Sequence, residues 1–173
     1  EEKLNIAFQS AWNAYTYDYP EIFYIDVTKL TLTTQTTSIG SFSTHKVDLS
    51  SGENQNYFSK GINSIEEANK RIEYVSNIRK QFISQLENSS DYEKIKLVHD
   101  WLVDNLEYDT SYSGENIHNV YGAFENKKVV CESYARTFKY ILDGIGIENV
   151  LVSGEATNTS GATESHAWNY VKI

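Results

Sequence analysis

The chain contains no methionine, a single cysteine and a single proline among its 173 residues. One cysteine excludes an intrachain disulfide framework, and with only four dispersed histidines it leaves no Cys/His cluster for a structural zinc site. Cys131 is therefore either inert filler or a working thiol. No run approaches the roughly 18 consecutive apolar residues of a membrane span, and no basic-then-apolar leader opens the chain. The lack of methionine and the start at Glu1 read as a piece of a longer protein. Basic side chains are scarce as well: 15 Lys and Arg face 24 Asp and Glu, for a net charge of −9. Such a surface repels nucleic acid and anionic membrane, so a DNA or RNA role is disfavoured.

What is abundant is aromatic. Thirteen tyrosines and three tryptophans point to polar, wet grooves, because each buried hydroxyl or indole N–H needs a partner. A 40% apolar content at this length supports one sizeable core, and one domain is the default.

Along the chain, Leu4, Ala7, Phe8, Ala11, Trp12 and Tyr15 recur at helical spacing, and Pro20 punctuates the helix they predict. From Ile22 to Ser50 a run rich in β-branched and aromatic residues predicts two or three strands joined near Gly40. The polar stretch between Asp48 and Gly61 reads as a connection, dividing an N-terminal helix plus β segment (residues 1–60) from a core (residues 61–173). Ser64 and Glu67 form a capping-box pattern before the stripe Ala68, Ile72, Val75, Ile78, Phe82, Ile83 and Leu86. Asp91 is the expected cap of a second helix with Ile95, Val98, Leu102 and Leu106 on its face, and the two helices are expected to pair antiparallel. After a polar loop, a short apolar piece surrounds Val120, Tyr121, Ala123 and Phe124.

The segment CESYARTFKYILDGIG then places Tyr134, Ala135, Phe138, Ile141, Leu142 and Ile145 on one helical face and ends in glycines suited to a C-cap. Cys131 thus opens a helix, where free N–H groups and the helix dipole favour a thiolate and can hold an oxyanion. Downstream, IENVLVSGEA and SHAWNYVKI predict two strands around a polar turn, with His166 and Trp168 on one face of the second. Spacing alone does not decide between a Cys–His nucleophilic pair and two structural residues.

The stretch NVYGAFENKKVVCESYARTFKYILDGIGIENVLVSGEA followed by SHAWNYVKI resembles the core motif of bacterial transglutaminase-like domains, and KIKLVHDWLVDNLEYD resembles the helix that precedes it. Less specifically, AYTYDYPEIFYI resembles an N-terminal segment of some secreted members. The resemblance implies an α+β, papain-like fold with the cysteine helix packed on an antiparallel sheet. It implies Cys131 as nucleophile, His166 as general base, and thiol-dependent acyl transfer or amide hydrolysis on protein or peptide substrates. It implies no cofactor and an extracellular or cell-surface location in a bacterium. The family's imidazole-orienting aspartate lies on the strand after the histidine, so none is expected before Ile173, and self-association through the edge of the last strand follows as an expectation. Ser133 stands where the family often has glycine, a tolerable exchange inside a helix.

Trp168 either walls the acyl site or fills the core. Tyr121, His118 and Glu132 are further cleft candidates; for His118 a solvated loop position is the simpler reading, and for Glu132 a complement to the helix N-terminus. His99 beside the Ile95/Leu102 stripe reads as a core or boundary histidine, and Asn169 as a structural hydrogen-bonder. The alternative from another functional class is an inactive module of the same fold that binds peptide or glycan through an aromatic groove.

Overall fold

A computed structural model describes residues 2–51, 56–86, 88–157 and 159–173. The elements run α1 (Glu2–Asp18), β1 (Thr31–Ile39), β2 (Phe42–Ser50), α2 (Ile65–Leu86), α3 (Asp91–Asn105), β3 (Glu107–Tyr108), α4 (Val120–Glu125), β4 (Lys128–Val129), α5 (Cys131–Gly144), β5 (Asn149–Thr157) and β6 (Thr163–Val171). Residues 52–55 of the expected connection, and Asn158 in the turn before β6, lie outside the described residues. No described helix is long and apolar enough to cross a membrane.

The mixed α+β class stands as the sequence predicts, and its centre is α5. Beyond the predicted apolar face, Ser133, Thr137, Lys139 and Tyr140 are also buried, so the helix is enclosed all round rather than on one side. Helices α2, α3 and α4 pack on it from one direction and the β5–β6 ladder from another. The glycines close it as expected. Gly146 takes a φ of +77°, its N–H donates to the Asp143 carbonyl (3.2 Å) and the Ile147 N–H to that of Leu142 (3.0 Å), the pattern of a Schellman cap.

The predicted stripes of α2 and α3 are the ones buried: Ala68, Val75, Val98 and Leu102 are almost wholly enclosed. The contact between these two helices is slight. Each packs chiefly against α5, and they meet through Phe82 set edge-on to Trp101 at 5.0 Å. The cap of α3 is Ser90 rather than Asp91; its hydroxyl accepts the Glu93 N–H while the Glu93 carboxylate accepts the Ser90 N–H, a full capping box. At α2 the Ser64 hydroxyl accepts the Glu67 N–H (3.2 Å), but the Glu67 carboxylate reaches one residue further back, to the Asn63 N–H (3.0 Å).

The first fifty residues differ more. Helix α1 forms, yet Thr16 is its one buried residue, and Ala7, Ala11 and Tyr15 of the expected stripe lie exposed. Residues before Thr31 are not strand, because the Asp26 carboxylate accepts the Thr28 N–H and hydroxyl and winds Val27–Lys29 into a 3-10 turn. Strands β1 and β2 make a regular hairpin closed by Gly40 and Ser41. Of these two only Gly40 takes a positive φ (61°), which suits a II′ turn. Both faces of this hairpin are largely exposed.

Candidate active site

Cys131 is the first residue of α5, and the preceding Val130 offers no side-chain cap. That turn is fixed from behind. The Val130 N–H donates to the Ile117 carbonyl (3.0 Å), and the buried Ser133 hydroxyl donates to the Asn119 carbonyl (2.6 Å). Serine at this position therefore ties the cysteine turn to the N-cap of α4, whose own Asn119 side chain accepts the Gly122 N–H (3.0 Å).

Across from α5, β6 pairs with β5 in antiparallel register, His166 opposite Gly154 and Trp168 opposite Val152. The imidazole and indole stack at 6.2 Å with planes 23° apart, on one face as the alternation predicts. Gly154 is required here: a Cβ on it would stand 2.9 Å from the Trp168 ring. The neighbouring Ala167 is buried with Ala135 and Leu151, the half-buried Cys131 packs against them, and the Asn169 amide donates to the Ala135 carbonyl (3.0 Å), so β6 is bonded directly to the cysteine helix.

Between these elements lies a cavity of about 390 Å³ bordered by Cys131 and by the four successive residues from His166 to Asn169. Leu102, Val103, Tyr134 and Phe138 give it an apolar wall, and His99 and Tyr108 complete the rim. The structure thus brings together Cys131, His166 and Trp168. It also adds residues that sequence reasoning did not nominate. Tyr108 was within the quoted KIKLVHDWLVDNLEYD stretch, but nothing local to it signals proximity to Cys131; the parallel pairing of β3 with β4 does that, setting Tyr108 beside Val129. His99 is not a core histidine: its side chain is 65% exposed, and Nδ1 lies 3.2 Å from an Asp100 carboxylate oxygen.

The other cleft candidates lie elsewhere. Tyr121 stacks on Phe23 at 5.8 Å and carries the Arg71 guanidinium over its ring at 4.7 Å. His118 is exposed and pairs through Nδ1 with Glu132 (3.1 Å). The second Glu132 oxygen accepts two N–H groups of Arg136 (2.8 and 2.9 Å), and Arg136 also donates to the Thr16 carbonyl (2.5 Å). Burial pushes the Glu132 carboxyl up, but the His118 and Arg136 partners outweigh it and hold the group below the usual glutamate range. Among the described residues no three His, Cys, Asp or Glu side chains cluster as metal ligands would.

A cysteine-started helix laid on an antiparallel ladder that carries a histidine defines a papain-like arrangement. Residues 80–173, over half of the chain, match the transglutaminase-like superfamily model, and the chain belongs to that superfamily. No curated protein matches it in sequence. Solved structures that are similar include the following two. One is a TGase, 15% identical with a TM-score of 0.50 over 84% of this chain and 42% of that one. The other is a proposed cysteine protease from Cytophaga hutchinsonii, 17% identical with a TM-score of 0.47 over 56% of this chain and 33% of that one. The chain thus spans less than half the length of either, and at 15% identity the likeness to the TGase is one of fold alone.

Proposed function

We propose that the chain performs thiol-dependent acyl transfer or amide hydrolysis on protein or peptide substrates, with Cys131 as nucleophile and His166 as base. The observation that carries this reading is the shared cavity, which holds the single thiol, at a helix start, and an imidazole from the facing strand. His166 removes the thiol proton, the sulfur attacks the acyl carbon, and the imidazolium returns its proton to the departing amine, leaving a thioester. An amine or water then resolves the thioester. The apolar wall of Leu102, Val103 and Phe138 suits an acyl group whose flanking side chain is itself apolar.

The test compares wild type with Cys131→Ala. Native wild-type protein is expected to react quickly with iodoacetamide near pH 6 and to incorporate a fluorescent primary amine into, or hydrolyse, a peptide amide. The variant is expected to do neither while losing less than about 1 kcal/mol of stability, since a half-buried sulfur leaves little cavity. Turnover in the variant removes the nucleophile assignment. A thiol that resists alkylation beside a cavity that still binds peptide favours the binding-module alternative, for which the aromatic lining of Tyr134, Phe138 and Trp168 is suited.

A further inference from the structure

The rim of the cavity carries a second imidazole, on a different element from the first. His99, Leu102 and Val103 fall at i, i+3 and i+4 on α3, so one face of that helix lines the space that Cys131 and His166 border from α5 and β6. Among the described residues, His99 and His166 are the basic groups that line it. The His99 ring is held in one tautomer. Its Nδ1 lies 3.2 Å from an Asp100 carboxylate oxygen, and a carboxylate only accepts, so in the neutral ring Nδ1 carries the proton and Nε2 keeps its lone pair. The Lys96 ammonium also donates to Asp100, and it, followed by His99, holds that carboxyl below the usual aspartate range, which keeps it an acceptor. Asp104, one turn on, attracts Lys96 as well, so two acids stand against one base on this stretch of α3.

We propose that His99, oriented by Asp100, is the base that deprotonates the acyl acceptor, and that this acceptor is a primary alkylammonium group. The inference deepens the acyl-transfer reading of the site and rests on it. An ammonium has no lone pair and must lose two protons to become an amide nitrogen, more than the single neutral His166 left by acylation takes up in one step. The acidic stretch of α3 draws the cation to the rim. There it gives one proton to His99 Nε2 and becomes an amine. Its nitrogen attacks the thioester carbon, the C–N bond forms and the carbonyl π pair moves to oxygen. The second proton passes from nitrogen to His166; collapse re-forms C=O, breaks C–S and returns that proton to the departing sulfur. The proton on His99 leaves to solvent, to which the side chain is 65% exposed. The products are an amide, the free thiol and one released proton.

The experiment acylates the protein with p-nitrophenyl acetate at pH 7 and offers two acceptors, with Cys131→Ala as the background. Cadaverine is an ammonium at that pH, whereas hydroxylamine is largely uncharged and needs no first deprotonation. The ratio of amide or hydroxamate to acetate is read, because it reports the fate of the thioester independently of how fast the thioester forms. In His99→Gln the cadaverine ratio is expected to fall about 10²-fold, the low end of what a positioned base contributes, while the hydroxylamine ratio changes less than about threefold. Asp100→Asn, which frees the tautomer, is expected to give the same pattern with a smaller loss, and it supplies the comparison should His99→Gln fold poorly. A cadaverine ratio that holds within threefold, or two ratios that fall together, overturns the proposal, since His99 would then be a bystander or a support for the cavity wall. A wild type that releases acetate but forms no amide with cadaverine above background also overturns it, and leaves the Cys131 assignment standing. A wild type acylated no faster than Cys131→Ala refutes that assignment and this inference with it.

Discussion

Arg136→Met tests how the N-terminal helix is held to the cysteine helix. Thr16, the one buried residue of α1, presents its carbonyl to the Arg136 guanidinium, which sits over the Tyr17 ring at 4.9 Å and grips Glu132 with two N–H groups. The Arg136 and Glu132 side chains are 13% and 28% exposed, so the pair is mostly but not wholly removed from water. Breaking a fully buried pair costs about 3–5 kcal/mol, and because Glu132 keeps some solvent and its His118 partner, the expected loss is about 2–3 kcal/mol. For a chain of this length that is roughly 4–12 °C in Tm. Methionine retains the apolar stem, so the loss reports the guanidinium. Calorimetric melts supply the number, and amide exchange is expected to quicken across residues 2–18 while α5 stays protected.

The pH dependence has a definite sign. The folded Glu132 carboxyl titrates below its unfolded value, so the stability it contributes is full above the unfolded range near pH ~4.3 and disappears as pH falls through the lowered folded pKa. The deficit of Arg136→Met is therefore expected to be complete at pH 7 and to shrink in acid. The double variant Arg136→Met/Glu132→Gln is expected to cost less than the two single losses added, as for any directly bonded pair. A Tm shift below about 1 °C at pH 7, or a deficit that persists unchanged at low pH, would refute the reasoning.

Two other outcomes follow from packing. Gly122→Ala places a methyl group 2.0 Å from the Asn116 carbonyl oxygen, a main-chain atom that cannot step aside, so a loss above about 3 kcal/mol or failure to fold is expected in urea titration. In contrast, Ile39→Thr/Phe42→Thr changes side chains 78% and 80% exposed at the hairpin tip, and the melting temperature is expected to stay within about 1 °C; a larger drop would mean that the tip is packed.

Much of the site was legible because it is written in local periods. The start of α5 at Cys131, its glycine cap and the β5–β6 pairing that carries His166 all follow from apolar spacing and turn residues. What spacing cannot express is contact between distant segments. Tyr108 reaches Cys131 through a parallel ladder of two residues per strand, too short to leave a pattern. Tyr121, equally aromatic and closer in sequence to Cys131, faces Phe23 and Arg71 instead. The hairpin displays the converse: β-branched residues predict strands, but no period says what a strand will pack against, and this one packs against little.

The enclosure of α5 shows why an amphipathic reading of it was incomplete. Three polar side chains on this helix outside the predicted apolar face, Ser133, Thr137 and Lys139, are buried. Two of them have partners that only the fold supplies: Ser133 donates to the Asn119 carbonyl, and the Lys139 ammonium, paired one turn along the helix with Asp143 (3.1 Å), donates to the Asn149 carbonyl (3.3 Å). Because such groups are costly to bury without those bonds, they fix the rotation and the depth of the helix more tightly than apolar contacts alone would. The first is two residues from Cys131 and the last anchors the far end beside β5. The thiol thus sits on the face of α5 that borders the cavity, at the start of a helix clamped along its length, and a thiol held in that way needs little reorganisation for the attack proposed for it.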